Sequence, residues 1–216
     1  MQGQIRKAIV QRKLTLLSSE RLDNILDCLT VVERESIPGD FVETGVWKGG
    51  ACLYAAAILS DLDSDRHIWC ADSFEGLPKP SYPEDAASKY WSYEGLKISK
   101  EEAEQNFREY DLLGPHIHFL KGWFKDTLPL APIETIAVLR FDGDMYESTE
   151  QTLESLYNKV SLGGFVIIDD YNLKDGTCRH ATDDFRRKHR ITAPLIWIDN
   201  EGVYWRKDSE YLYRRK

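Results

Sequence analysis

The stretch FVETGVWKGG, Phe41–Gly50, decides the fold of this chain. The apolar residues Phe41 and Val42 precede Glu43. Glycines then stand on both sides of a segment that contains Trp47 and Lys48. Glycine permits backbone conformations that other residues avoid, so the pattern predicts a strand that breaks into a tight turn before a helix. The carboxylate at the strand end limits which ligands such a turn can hold.

Outward from this turn, apolar strands and helical segments alternate along the chain. The predicted strands are residues 40–44, HIWCADSF, HIHFLKGWF, IETIAVLRFDGD and FVIIDDY. Short continuous apolar runs of this kind are typical of a mostly parallel sheet with helices on both faces. PLIWIDNEGVYWRK predicts an antiparallel C-terminal hairpin with its turn at Asn200–Gly202. The sequence therefore predicts an α/β fold.

Two segments lie outside this alternation. Residues 1–37 are predicted to form an N-terminal helical segment, which Pro38 ends, followed by one domain over residues 38–216. The apolar residues of segment 76–99 follow neither a helical nor a strand spacing, which indicates a long functional loop, here called the lid. The predicted helix N-caps are Ser18 or Ser19, Ser99, and Ser148 or Thr149.

Composition excludes several classes of protein. The 216 residues are 42% hydrophobic with a formal net charge of -8, which suits a globular domain and argues against nucleic acid as a partner. Four separated cysteines form no CxxC pair, so a zinc site is not expected; they are Cys28, Cys52, Cys70 and Cys178. Neither a signal peptide nor a membrane-spanning run is evident, so we expect a cytoplasmic protein without a membrane partner.

The turn and the second strand favour a cationic nucleoside. The turn lacks both the G-x-G-x-x-G of dinucleotide loops and the G-x-x-x-x-G-K of phosphate loops, and Glu43 would repel a phosphate. S-adenosylmethionine, with its sulfonium, amino group and ribose diol, fits these features. Asp72 ends the second strand, where an acid commonly binds a ribose diol. An ordinary strand–helix turn without a ligand remains the alternative.

Further acids end the fourth and fifth strands. Asp142, Asp169 and Asp170 should meet at one rim of a parallel sheet and would provide the oxygen ligands that Mg²⁺ prefers. Asp144 lies two residues beyond Asp142 and can face the same site. The alternative is that some of these acids only cap the helices that follow.

At these residues the chain resembles the macrocin O-methyltransferase family. The matching stretches are PGDFVETGVWKGGA, ADSFEGLP, FLKGWFKDTLP, LRFDGDMYES, GGFVIIDDY, DDFR and GVYW, in family order from about Pro38 to Trp205. The resemblance implies a class I, Rossmann-like methyltransferase that uses S-adenosylmethionine and a divalent metal, usually Mg²⁺, to methylate sugar hydroxyls on antibiotics. In this family the segment before Pro38 often contributes to oligomer contacts, so a homodimer or higher homo-oligomer is one expected state.

The resemblance also implies a role for individual residues. Glu43, Thr44, Gly45 and Val46 would hold the methionine part of the cofactor, Asp72 and Ser73 the ribose, and Gly122 and Trp123 the adenine. Asp142, which also borders the cofactor, would bind the metal together with Asp169 and Asp170. Asp144 would be the general base.

The predicted function is O-methylation of a sugar hydroxyl in a glycosylated natural product or a sugar nucleotide. A phenolic acceptor is the alternative within enzymes, but a phenol is far more acidic and needs the Asp144 base much less. A non-catalytic S-adenosylmethionine-binding protein is a second alternative, and the complete set of acids argues against it. A metallohydrolase is a third, but no His-rich ligand set is present. His180, near the metal segment, is the other candidate base.

Overall fold

The computed structural model describes residues 1–208, so residues 209–216 of the predicted domain lie outside the described part of the chain. The helices are α1 Gln2–Gln11, α2 Ser19–Arg34, α3 Gly50–Asp61, α4 Lys100–Glu109, α5 Phe124–Thr127, α6 Tyr146–Leu156 and α7 Thr177–Lys188. The strands are β1 Asp40–Thr44, β2 Ile68–Asp72, β3 Ile117–Lys121, β4 Ile136–Phe141, β5 Val160–Ile168, β6 Ile196–Trp197 and β7 Val203–Arg206.

The strands form one seven-stranded sheet in the order β3-β2-β1-β4-β5-β7-β6. Strands β1 to β5 are parallel, and β7 pairs antiparallel with both β5 and β6. The predicted mostly parallel sheet with an antiparallel C-terminal hairpin is therefore confirmed. Because β1 lies between β2 and β4, the chain reverses direction across the sheet at β1, which is where open α/β sheets bind ligands.

Alternation along the strands divides the core between the two faces of the sheet. Phe41 and Val138 face a core that includes the apolar sides of α1, α2 and α3. Val42 and Leu139 face the opposite core, which includes α6 and α7. Since both faces are buried, these strands carry continuous apolar runs, as the sequence indicated.

The N-terminal segment and two helix caps agree with the sequence. Residues before Pro38 form two helices, and the Ser18 hydroxyl caps α2 by accepting from Arg21 N at 3.2 Å. The Ser99 hydroxyl caps α4 by accepting from Glu102 N at 3.1 Å.

The predicted cap of α6 is wrong. The helix begins at Tyr146, so Ser148 and Thr149 lie inside its first turn and are buried. Met145 precedes the helix and makes no side-chain cap. The acceptors for the first N–H groups come from the lid, through the carboxylate of Asp85. A cap supplied from a distant segment leaves no local sequence signal.

The structure also assigns two other regions in more detail. Strand β5 has nine residues and includes Leu162, Gly163 and Gly164. The lid contains only short 3-10 turns, at Pro83–Asp85, Tyr90–Ser92 and Glu94–Leu96. Among residues 1–208, no helix has the length and apolar character needed to cross a bilayer.

Candidate functional site

The predicted site residues meet at one cavity of about 630 Å³, at the carboxyl ends of the parallel strands. It is lined by Glu43, Gly45, Val46, Asp72, Ser73, Gly122, Trp123, Asp142, Asp144, Asp169 and Asp170. Thr44 is the exception, because its hydroxyl is buried and accepts from Thr152 Oγ1 at 3.2 Å on the α6 side of the sheet. His180 is exposed on α7 and does not line the cavity.

Asp72 organises the turn that follows β1. Its Oδ2 accepts from Val46 N at 2.8 Å and Trp47 N at 3.2 Å, and its Oδ1 accepts from Phe74 N at 2.8 Å. Burial raises the pKa of Asp72, and these backbone N–H groups oppose that rise because they stabilise the charged form. The carboxylate thus fixes the conformation of the glycine turn.

Gly45 brings the turn into direct contact with the end of β4. Its φ is +85°, and a Cβ built on it would lie 1.6 Å from the carbonyl oxygen of Asp142. Only glycine can occupy this position, for both its backbone angle and its lack of a side chain. The turn and the segment that carries Asp142 are therefore packed backbone to backbone.

Glu43 is buried directly beneath the turn. Its carboxylate pairs with the guanidinium of Arg140 and accepts from Cys52 Sγ at 2.7 Å. Arg140 is 1% exposed, and it also contacts Asp142 at 3.0 Å and Asp169 at 2.6 Å. This buried arginine connects the turn after β1 with the ends of β4 and β5.

Three carboxylates converge on the other side of the cavity. Candidate ligand oxygens of Asp142, Asp144 and Asp170 all lie within 4.8 Å of one another. Burial and the neighbouring negative charges raise the pKa of Asp142 and of Asp170. Such crowding of like charges is costly unless protons or cations occupy the cluster.

Asp169 lies beside this cluster but is held by arginines. Its Oδ1 contacts Arg140 at 2.6 Å, and its Oδ2 accepts from Arg21 Nη1 at 2.6 Å. Arg21 also reaches the turn between β6 and β7, where it contacts Asp199 at 2.7 Å and Glu201 at 2.9 Å. Of the three acids predicted as metal ligands, the structure brings two into the close cluster and places Asp169 next to them.

Asp144 has a strained backbone and a perturbed carboxyl group. Its φ is +56°, in the left-handed region that few side chains adopt, which aims the side chain back toward the strand ends. Its N–H donates to Asp170 Oδ2 at 3.3 Å. Burial, reinforced by the charges of Asp142 and Asp169, raises the pKa of Asp144 to about 7.

Two segments form walls of the cavity that the sequence did not specify. The link between α1 and α2 contributes Leu14–Leu17, the first turn of α2 contributes Arg21, and the lid contributes Tyr90, Tyr93 and Leu96. The indole of Trp47 donates to the carbonyl of Gly95 at 2.9 Å and so joins the glycine turn to the lid.

Sequence reasoning missed Arg21, Arg140 and Asp85. Arg140 left a usable signal, because a charged residue inside a continuous apolar strand demands a buried partner. Arg21 and Asp85 left none, since their partners are more than 50 residues away in the chain.

A comparison with known protein families identifies the family of this chain. Residues 9–207 match the model described as Macrocin-O-methyltransferase (TylF). The chain belongs to the macrocin O-methyltransferase family. It is therefore an O-methyltransferase, and the resemblance inferred from the sequence motifs is confirmed.

Individual relatives agree with this family assignment. The chain is 49% identical over 198 residues to the demethyldecarbamoylnovobiocin O-methyltransferase of Streptomyces niveus, covering 89% of this chain and 75% of that one. It is 44% identical over 202 residues to the mycinamicin III 3''-O-methyltransferase of Micromonospora griseorubida, covering 90% and 79%. The solved structure of the O-methyltransferase NovP superposes with a TM-score of 0.87 at 49% identity, covering 90% of this chain and 82% of that one.

Proposed function

We propose that this macrocin O-methyltransferase family member transfers a methyl group from S-adenosylmethionine to a sugar hydroxyl, with the help of a divalent cation such as Mg²⁺. The acceptor is a glycosylated natural product or a sugar nucleotide. The observation that carries the proposal is that the carboxylates of Asp142, Asp144 and Asp170 converge in the same cavity as the glycine turn. In this proposal the proton acceptor and the cation would share one cavity with the cofactor.

The residues around the turn fit S-adenosylmethionine. Gly45 and Val46 line the cavity at the turn, where Glu43 to Val46 would hold the methionine part. Thr44 would contribute through its backbone, because its side chain faces Thr152. Asp72 and Ser73 would hold the ribose, and Gly122 with Trp123 would flank the adenine. S-adenosylmethionine, when bound, supplies the methyl group.

The donor set fits a hard divalent cation. Carboxylate oxygens are the preferred ligands of Mg²⁺, and the three converging acids offer them without a nitrogen or sulfur ligand. Asp142 and Asp170 would hold the ion, together with Asp169 if its bonds to arginine rearrange. When bound, the ion stabilises the negative charge that develops on the acceptor oxygen.

Asp144 is the proposed general base. A sugar hydroxyl, about as weak an acid as water at pKa ~15.7, is a poor proton donor to a free aspartate near ~3.9. In the ion-free protein, burial and the neighbouring carboxylates raise the pKa of Asp144 to about 7, which makes it a stronger base than a free aspartate. A bound cation would lower that pKa and would instead make the acceptor hydroxyl more acidic. The lid and the link between α1 and α2 exclude water and orient the acceptor.

The relatives favour the sugar over the phenolic alternative. The names of the Micromonospora enzyme and of a Streptomyces olivaceus relative, 45% identical over 197 residues, place the methyl group on a sugar position. Transfer to a neutral sugar hydroxyl is also the chemistry that most needs a strong base. A protein that only bound the cofactor would have no use for Asp144.

The experiment is a product survey with labelled cofactor. The protein is incubated with isotopically labelled S-adenosylmethionine and a panel of glycosides, sugar nucleotides and catechols, and the products are identified by mass spectrometry. We expect label on a sugar hydroxyl, loss of turnover after chelation with EDTA, and recovery with Mg²⁺. Label on catechols alone would refute the sugar acceptor, and full activity after exhaustive chelation would refute the ion.

A further inference from the structure

The lid supplies a carboxylate that the sequence motifs and the proposed mechanism do not use. Asp85 has no exposed surface. Its Oδ1 accepts from Tyr146 N at 2.8 Å, and its Oδ2 accepts from Glu147 N at 2.9 Å. Burial raises the pKa of this carboxyl, and the two backbone N–H groups oppose that rise because they stabilise its charged form.

The two N–H groups belong to the first turn of α6, which has no side-chain cap of its own. The first N–H groups of a helix have no partner within the helix, and the positive end of the helix dipole attracts a carboxylate. Asp85 thus supplies from the lid what a local cap would otherwise supply.

Asp144 lies two residues before this helix in a strained conformation. Its φ of +56° persists only if the surroundings hold it. On one side its carbonyl accepts from Thr177 Oγ1 at 3.2 Å and its N–H reaches Asp170. On the other side the chain enters α6, and the two backbone groups held by Asp85 follow within three residues.

Other contacts join the lid to both halves of the site. Ser81 donates to Glu147 Oε2 at 2.7 Å, and the rings of Tyr82 and Tyr146 lie 6.1 Å apart. The far end of the lid is held at the Gly95 carbonyl by Trp47. The lid therefore spans the cavity from the start of α6 to the glycine turn.

We propose that Asp85 is a positioning residue that makes the placement of Asp144 depend on docking of the lid. With the lid docked, Asp85 anchors the start of α6 and holds the turn that carries Asp144. With the lid undocked, the first turn of α6 loses the Asp85 carboxylate, and Asp144 is released from its strained conformation. This inference rests on the proposed role of Asp144 as the general base.

The experiment compares Asp85→Asn and Asp85→Ala with Glu84→Gln in the full chain. Glu84 is the matched control: it is an exposed acid on the same turn, and its charge acts on the Tyr146 side chain, whereas the first N–H groups of α6 are held by Asp85. Amide hydrogen exchange is measured in the peptide that spans residues 143–149, without cofactor or acceptor. Single-turnover rates and cofactor affinity are measured in parallel.

We expect faster exchange in residues 143–149 of Asp85→Asn, with the central strands β1 and β4 unchanged. The single-turnover rate should fall about 10-fold for Asp85→Asn, which keeps one acceptor oxygen, and further for Asp85→Ala. The affinity for S-adenosylmethionine should change less than 3-fold, and Glu84→Gln should match the unmodified protein in every measurement.

Two results would overturn the inference. One is unchanged exchange in residues 143–149 of both Asp85 variants, which would show that the lid does not hold α6. The other is faster exchange throughout β1 and β4, which would show that Asp85 acts on global stability. If local exchange rises while Asp144→Asn retains its methyl-transfer rate, the coupling stands and the assignment of the base fails.

Discussion

Asp72 and Asp144 follow strands of the same sheet and line the same cavity, yet their surroundings are opposite. Asp72 is surrounded by backbone N–H groups from Val46, Trp47 and Phe74. Asp144 is surrounded by other carboxylates, and its pKa rises to about 7. The two aspartates, one at the end of β2 and the other three residues beyond β4, therefore occupy different electrostatic environments.

The difference separates a structural carboxylate from a reactive one. Hydrogen bonds to the charged form of Asp72 oppose the rise in pKa that burial causes, so this carboxylate serves to fix a turn and to accept further hydrogen bonds. Like charges and burial increase the basicity of Asp144, which suits it to accept a proton or to share a cation. Arg140 lies between the two regions and is bonded to acids of both.

The largest effect is expected from Asp144→Asn. It keeps the shape of the side chain but removes the proposed base, so the single-turnover rate should fall by roughly 10²–10⁴. Affinity for S-adenosylmethionine should stay within a few-fold, measured by calorimetry. Asp142→Asn is the comparison, because it should also impair cation binding. A near-normal rate for Asp144→Asn at saturating Mg²⁺ would remove Asp144 from the base role.

Arg140→Gln should have the next largest effect, on stability. It leaves the buried Glu43 carboxylate without a cation and removes a partner from Asp142 and Asp169. Breaking a buried ion pair typically costs about 3–5 kcal/mol. Urea denaturation should show a loss of this size, and Arg34→Gln, at an exposed pair with Glu35, should cost under ~1 kcal/mol. Equal losses in the two variants would contradict the central role of Arg140.

Asp72→Ala tests the other side of the comparison. It leaves the N–H groups of the glycine turn without an acceptor, and each buried N–H group without a partner costs about 1–3 kcal/mol of folding free energy. Affinity for S-adenosylmethionine should fall about 10- to 100-fold, with the Mg²⁺ requirement of the residual activity unchanged. A changed Mg²⁺ requirement with intact cofactor affinity would show that the two regions are not separate.

The pH dependence of stability should reveal the raised pKa of Asp144. In the ion-free protein the folded state keeps this proton between about pH 4 and pH 7, where the unfolded chain has lost it. The free energy of unfolding should therefore fall as pH rises through this window, by about 1–2 kcal/mol after allowance for screening. Asp144→Asn should reduce this slope in chelated samples, and the slope that remains should come from the other buried acids with raised pKa values, which are Glu43, Asp72, Asp142 and Asp170. An unchanged slope in Asp144→Asn would contradict the raised pKa of Asp144.

The smallest effect concerns Arg21→Gln. Removing a positive charge beside Asp169 should tighten binding of Mn²⁺, used as a spectroscopic probe, by about 3- to 10-fold, because the carboxylates gain net negative charge. Arg6→Gln is the matched control, since Arg6 pairs with Asp23 at a distance from the cavity. Weaker Mn²⁺ binding in Arg21→Gln would show that Arg21 supports the cation site by positioning Asp169.

The sequence predicted the sheet, its hairpin and the acidic residues that line the cavity. Parallel strands buried on both faces produce unmistakable apolar runs, and the strand ends then locate Asp72, Asp142 and Asp170. The cap of α6 and the two arginines escaped prediction, because their partners come from distant parts of the chain. Local patterns report which residues end a strand, but they do not report which charges meet across the fold.

The backbone contact between Gly45 and Asp142 has a consequence for anyone who redesigns this enzyme. Any side chain at position 45 would displace the carbonyl of Asp142, so a library that varies the glycine turn also disturbs the reactive carboxylates. Diversity is better introduced along the lid at Tyr90 and Tyr93, which face the cavity without being locked between two backbones. Acceptor preference can then evolve while the methyl-transfer machinery stays constant.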